Sequence, residues 1–164
     1  DMDLQMYRRS VKAVNPQAML AFEDPEGEPL ELGKEQPPYD LNADVIEIED
    51  TDFGLWYLDA MDTPERYNGK TVKFKGKVMI PKKFPANTFI PGRNAMTCCE
   101  NDIRFIGYMC KSKFTDKLQQ KQWLEITAEV RYENVPEYGG EGPVLYAKHL
   151  KSAEPPASDL VYFN

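Results

Sequence analysis

A chain of 164 residues, 41% apolar and 12% aromatic, has the material for one ordinary core plus an extension and reads as globular. Its three cysteines are too few for a disulfide scaffold, and at least one thiol stays unpaired unless a metal or another chain takes it. The formal charge of −7 hides an asymmetry: residues 21–50 hold eleven acids against Lys34, a net of −10, which leaves the rest of the chain at +3.

No run reaches the ~20 apolar residues of a membrane span, and no basic start leading into an apolar stretch marks a signal peptide. The chain opens on Asp1 and not on methionine, so it is read as a fragment whose targeting segment is missing. Residues 1–20 mix Leu4, Met6, Val11 and Val14 with Arg8, Arg9 and Lys12 without a sustained period, and no element is assigned there. The acidic stretch that follows contains Pro25, Pro29, Pro37 and Pro38, cannot bury much apolar surface, and reads as a solvated lead-in.

Regular structure is expected from residue 44 onward. Residues 45–48 make a short strand, Thr51 and Asp52 offer a helix N-cap, and Phe53, Trp56, Tyr57 and Ala60 share one helical face. Pro64 and the Asn68-Gly69 pair end that helix. In residues 71–80 the period changes to two: Val72, Phe74, Gly76, Val78 and Ile80 alternate with Lys73, Lys75 and Lys77, and Gly76 suggests a bulge or a sharp coil. Further strands are expected at 87–90, 104–110, 123–132 and 144–150, with Gly139, Gly140 and Gly142 as a flexible connection before the last. Leu160, Val161, Tyr162 and Phe163 follow a proline-stiffened segment and are expected to dock back on the body. Five strands, the first long and carrying a glycine, with a gap at 111–122, match a mainly β fold: a five-stranded OB-like barrel with a preceding capping helix. The division is residues 1–43 as an N-terminal extension with an acidic Pro-rich linker, and 44–164 as the OB-like domain.

Sulfur is the unusual chemistry. Cys98 and Cys99 are adjacent, and because neighbouring side chains on a strand point to opposite faces, the pair suggests a thiol site on a turn at Glu100-Asn101-Asp102. Arg93 is close enough in sequence to lower a thiol pKa if it folds over them. Cys98, Cys99, Asp102, Cys110 and His149 are the available metal-ligand types, although no Cys-x-x-Cys occurs. Cys110 runs in phase with Ile106 and Tyr108 and is read as core, and a lone strand histidine such as His149 is more often structural. Two other readings stay open: the pair as packing, or as a vicinal disulfide that switches with redox state. Lys70, Lys73, Lys75, Lys77, Lys82 and Lys83 would serve a nucleic-acid-binding OB module, but Phe74 alternates away from them, so a solvated strand edge is favoured and nucleic acid is not the expected partner. The signatures of common enzyme classes, such as a phosphate-binding glycine loop or His-Glu-x-x-His, are absent, so a binding role is preferred to catalysis.

The motif Arg93-x-x-Met96-x-Cys98-Cys99-x-x-Asp102, with Tyr67-Asn68-Gly69-Lys70-Thr71-Val72, Gly76, Gly107, Trp123, Tyr138-Gly139-Gly140 and Pro155-Pro156, resembles the soluble C-terminal domain of the YcgQ-like family of bacterial membrane-associated proteins. The resemblance covers about two thirds of the chain. It implies a domain displayed outside a membrane, tethered by N-terminal helices that this chain does not carry, and working beside a permease. It also implies metal homeostasis, with zinc as the candidate ion. The site residues expected on this reading are Cys98, Cys99, Asp102 and His149 as ligands, with Arg93 and Met96 beside them.

Overall fold

The computed structural model describes residues 3–13, 36–96 and 102–163. Its eight strands belong to one mixed sheet. In chain order they are β1 (Ile46–Glu47), β2 (Thr71–Met79), β3 (Thr88–Met96), β4 (Ile103–Gly107), β5 (Cys110–Lys111), β6 (Trp123–Val135), β7 (Gly140–Ser152) and β8 (Leu160–Tyr162). The pairing runs from β2 to β6, β7, β5 and β3 and returns to β2, so the hydrogen-bond ladder closes on itself. Among the described residues two α-helices, α1 (Leu4–Ala13) and α2 (Phe53–Asp62), pack against this sheet.

Strands β2 and β6 carry the alternation the sequence displays. Val72, Phe74 and Val78 are buried from one, Leu124, Ile126, Ala128 and Val130 from the other, and Phe74 lies opposite Ile126. Register continues unbroken through Gly76, so the expected bulge is not there; it falls between Thr127 and Ala128, where Lys148 of β7 is the extra residue. Gly76 instead gives β3 room, because a Cβ there would meet the carbonyl carbon of Pro91 at 3.0 Å.

The expected strand at 87–90 extends to Met96, across a proline that weakens the sequence signal. Pro91 is accommodated because, on the side away from β2, β3 changes partner from β5 to β4 around it. The expected strand at 104–110 correspondingly breaks at Tyr108 and Met109 into β4 and β5. Of the glycines expected as a flexible connection, Gly140 and Gly142 are ladder residues, while a short 3-10 turn, Pro136–Tyr138, and Gly139 at φ 80° close a tight β6–β7 hairpin.

Helix α2 starts at Phe53 as expected, but it is led in by a 3-10 turn at Asp50–Asp52, and Asp52 makes no side-chain cap bond. Its aromatic face seals the core: Phe53 and Trp56 meet Phe74 at 5.6 and 5.1 Å, and Tyr57 stacks on Tyr108 at 4.6 Å. Burying each such side chain contributes about 1.5 to 3 kcal/mol. The N-terminal residues that showed no period contain α1, whose Tyr7 is fully buried, donates its hydroxyl to the Gly107 carbonyl at 2.9 Å and meets the Tyr138 ring edge-on. Tyr7, Tyr57, Tyr108 and Tyr138 thereby form one buried cluster, and burial pushes every one of their phenols above the ordinary value.

The C-terminal residues dock as expected. β8 pairs parallel with β3, Val161 is buried, and Gly54 of α2 lets the strand lie close, since a Cβ there would sit 2.1 Å from the Tyr162 oxygen. Among the described residues no helix is long and apolar enough to cross a membrane.

Candidate functional site

Antiparallel pairing of β3 with β4 places Arg93 opposite Ile106 and Met96 opposite Ile103. Arg93, Met96 and Asp102 of the sulfur motif therefore belong to one hairpin. Cys98 and Cys99 lie outside the described residues. Met96 is half-buried between β4 and β8, and Asp102 forms an ion pair with Arg104 at 3.4 Å.

Arg93 has partners far from it in sequence. Its side chain is 1% exposed, and one terminal nitrogen donates to Asp50 at 2.8 Å while the other donates to the Ser158 carbonyl at 2.8 Å. The guanidinium also lies 5.1 Å from the Trp123 ring centroid. Next to it, Asn94 and Lys77 both donate to the same Asp159 oxygen, at 3.0 and 2.8 Å. One strand thus clamps the loop before α2 and the segment before β8, and the arginine is committed to that clamp. Asp50, assigned from the sequence to a solvated stretch, is one of its partners. Residues 14–35, which include the first half of that acidic stretch, lie outside the described residues.

His149 stands elsewhere. It is exposed on β7 opposite Thr127 and lines a groove of about 820 Å³ together with Thr88, whereas Asp102 precedes the strand paired with the far end of β3. Cys110 is fully buried, as its phase with Ile106 predicted, and burial raises its thiol pKa, opposed by a backbone hydrogen bond from Ala147. The alternation was not the whole reason, since Phe105 through Cys110 are all buried. Among the described residues no group of three or more His, Cys, Asp or Glu side chains is placed to hold a metal.

The lysine row on β2 is likewise not a free edge. β2 has partners on both sides; Lys73 lies 3.7 Å from Glu47 and 3.6 Å from Glu125, Lys77 is held by Asp159, and Lys70 donates to the Leu41 carbonyl. Sequence reasoning also missed a buried polar knot at the end of α2. Asp59 accepts from Arg66 through both carboxylate oxygens and from the Tyr67 hydroxyl at 2.6 Å, and Tyr67 shares a hydrogen bond with Tyr39. Asp59 followed by Thr63 and Arg66 was a visible signal, since one turn beyond a helix end brings such groups together. Burial, first, and then Tyr39 and Asp59 push the Tyr67 phenol upward, and its partners are all internal, so the knot reads as a structural tie.

A closed run of paired strands, an aromatic helix and the Arg93 clamp define a small mainly β domain. The chain belongs to the family of the DUF1980 C-terminal domain, whose family model it matches over residues 31–163. That match begins within the acidic stretch, earlier than the motif resemblance. No curated protein matches the chain. Among solved structures it is similar to an aspartyl tRNA synthetase from Entamoeba histolytica, at 13% identity over 55% of this chain and 20% of that one, with a TM-score of 0.31. It is also similar to yeast RPA bound to ssDNA, at 9% identity over 71% of this chain and 81% of that one, with a TM-score of 0.38. The chain spans about a fifth of the length of the synthetase.

Proposed function

We propose that this is a non-enzymatic, OB-like barrel domain of a YcgQ-like membrane protein, displayed outside the membrane beside a permease, where Cys98 and Cys99 bind a metal ion, zinc first among candidates. The observation that supports it is the anchoring of the motif-bearing hairpin. β3 is paired to β4 and β8 up to Met96, and Arg93 fixes its flank to Asp50 and Ser158. A ligand site needs such a firm base, because ordering its donors at the moment of binding would cost affinity.

The donor set fits the ion. Two thiols with a nearby carboxylate suit zinc, which takes sulfur and carboxylate oxygen in four-coordinate sites, and the thiols bind as thiolates, so affinity rises with pH. Asp102 is the carboxylate of the set and would exchange its Arg104 partner for the metal. His149, against the other end of β3, is left out of the proposed ligand set.

The test is cobalt titration of the reduced chain, read by thiolate-to-metal absorbance, with native mass spectrometry for stoichiometry. One metal per chain is expected, with a rise in melting temperature that Cys99→Ser abolishes while the apo melting temperature stays put. Absence of stoichiometric metal overturns the reading, and so does a full metal-induced shift in Cys99→Ser.

A further inference from the structure

The end of the molecule where β2 passes to β3 and β5 to β6 is basic in an otherwise acidic chain. Residues 80–87 and 112–122 contain Lys82, Lys83, Lys113, Lys117 and Lys121 against one acid, Asp116, and all five lysines are exposed. The two loops are stitched into one surface. The Gln120 side chain bonds both the nitrogen and the oxygen of Ile80, at 2.8 and 2.6 Å, and the Ser112 nitrogen donates to the Asn87 carbonyl at 2.9 Å. The groove of about 820 Å³ opens beside them, lined by Lys111, Lys113, Lys117 and Lys148 and by no carboxylate.

Within this surface Phe114 is half-exposed, with the ammonium groups of Lys113 and Lys117 each 5.6 Å from its ring centroid. An apolar ring exposed to water between two long cationic side chains suits a boundary between water and hydrocarbon. The ring can enter the lipid while the lysine stems lie along it and their charged heads stay at phosphate level. Lys113, Lys117 and Lys148 have no carboxylate within 4.0 Å among the described residues, while Lys111 is 3.8 Å from Glu133, outside the groove lining.

We infer that this end of the domain docks on an anionic lipid surface, with Phe114 entering the headgroup layer and the surrounding lysines meeting lipid phosphates. A single-stranded nucleic acid would also seek the charge, but it needs successive free aromatic faces for its bases. The groove's second aromatic, Tyr146, is already engaged: Arg131 lies 4.2 Å from its centroid, Lys111 lies 5.5 Å away, and its hydroxyl donates to Glu133. One ring is free to insert, and no stacking path is offered. The docking surface deepens the membrane setting proposed above and uses none of the proposed metal ligands.

Co-sedimentation of the whole chain with phosphatidylcholine vesicles, with and without phosphatidylglycerol, tests the inference. Binding is expected only with the anionic lipid and should fall as salt rises, since exposed charges are screened. Lys113→Gln with Lys117→Gln should weaken it about 25-fold, from about fivefold per lysine at an anionic surface. Phe114→Trp should bind and shift its emission to the blue on the vesicles, and Phe114→Ala should bind several-fold more weakly. Circular dichroism melts confirm that each variant is folded. Equal binding to neutral and anionic vesicles, or none to either, overturns the inference. So does anisotropy showing that a labelled single-stranded oligonucleotide is bound through these lysines while vesicles are not. Cys98→Ser with Cys99→Ser should leave vesicle binding intact, so failure of the metal reading and failure of this one appear in separate measurements.

Discussion

Strand β3 joins two regions that use polar groups in opposite ways. At its Met96 end, two cations are covered and shared: Arg93 is enclosed, Lys77 is mostly covered, and both hold segments that arrive from distant parts of the chain. At its Thr88 end, the lysines of the flanking loops stand in water, and several have no acidic partner among the described residues. A buried cation without its partner is costly, so the first arrangement is a fastening; an exposed one costs little, so the second is free to meet something else. The sign of the charge is the same at both ends, and burial decides what it does.

The largest expected effect is that of alkali on the buried tyrosine cluster. Burial raises the phenols of Tyr7, Tyr57, Tyr108 and Tyr138 above the ordinary value of 10.0. The unfolded chain therefore loses these protons first as pH climbs, so their stabilising contribution is complete below about pH 10 and is lost above it, through the higher folded values. Tyrosinate absorbance from this cluster and loss of near-ultraviolet circular dichroism are expected in one shared transition above pH 10. Titration of the buried phenols at ordinary values in a folded chain would break the assignment.

The next largest effect is Arg93→Ala, which removes two charge-assisted hydrogen bonds and leaves the Ser158 carbonyl without its donor. A loss of about 3 kcal/mol in urea unfolding is expected, at the low end for broken buried pairs because Asp50 is half-exposed and can rehydrate. Arg93→Lys should recover only part of it, since one ammonium cannot reach both partners in the geometry of the fork. An Arg93→Ala protein as stable as the parent would erase the contrast between the two ends. At the bottom of the scale, Lys113→Gln and Lys117→Gln should each change stability by less than about 0.5 kcal/mol in the same assay. A larger loss would mean that these lysines are fastenings as well.

Much of the framework was legible because it is repetitive. Alternation in β2 and β6 and the aromatic face of α2 follow from periods of two and 3.6, which survive in a single sequence. What was lost lay where one residue serves a distant partner. β3 was cut short because Pro91 is a breaker unless a neighbour changes there, and that neighbour is 12 or more residues further on. α1 went unassigned, and among its described side chains Tyr7 is buried while Met6 is exposed. The partners of Arg93, Asp50 and Ser158, are 43 and 65 positions away, too far for sequence proximity to reveal. The basic end was half visible: Lys82 and Lys83 were counted with the strand lysines, but their association with 112–122 depends on how two loops meet.

The burial of Cys110 simplifies the chemistry of the other two sulfurs. A thiol with no solvent exposure and a raised pKa offers almost no thiolate to an alkylating reagent at neutral pH. Of the chain's three cysteines, only Cys98 and Cys99 then remain as possible targets in the native protein. Native labelling stoichiometry becomes a direct reading of that adjacent pair, with the third thiol serving as an internal gauge that appears only when the chain unfolds.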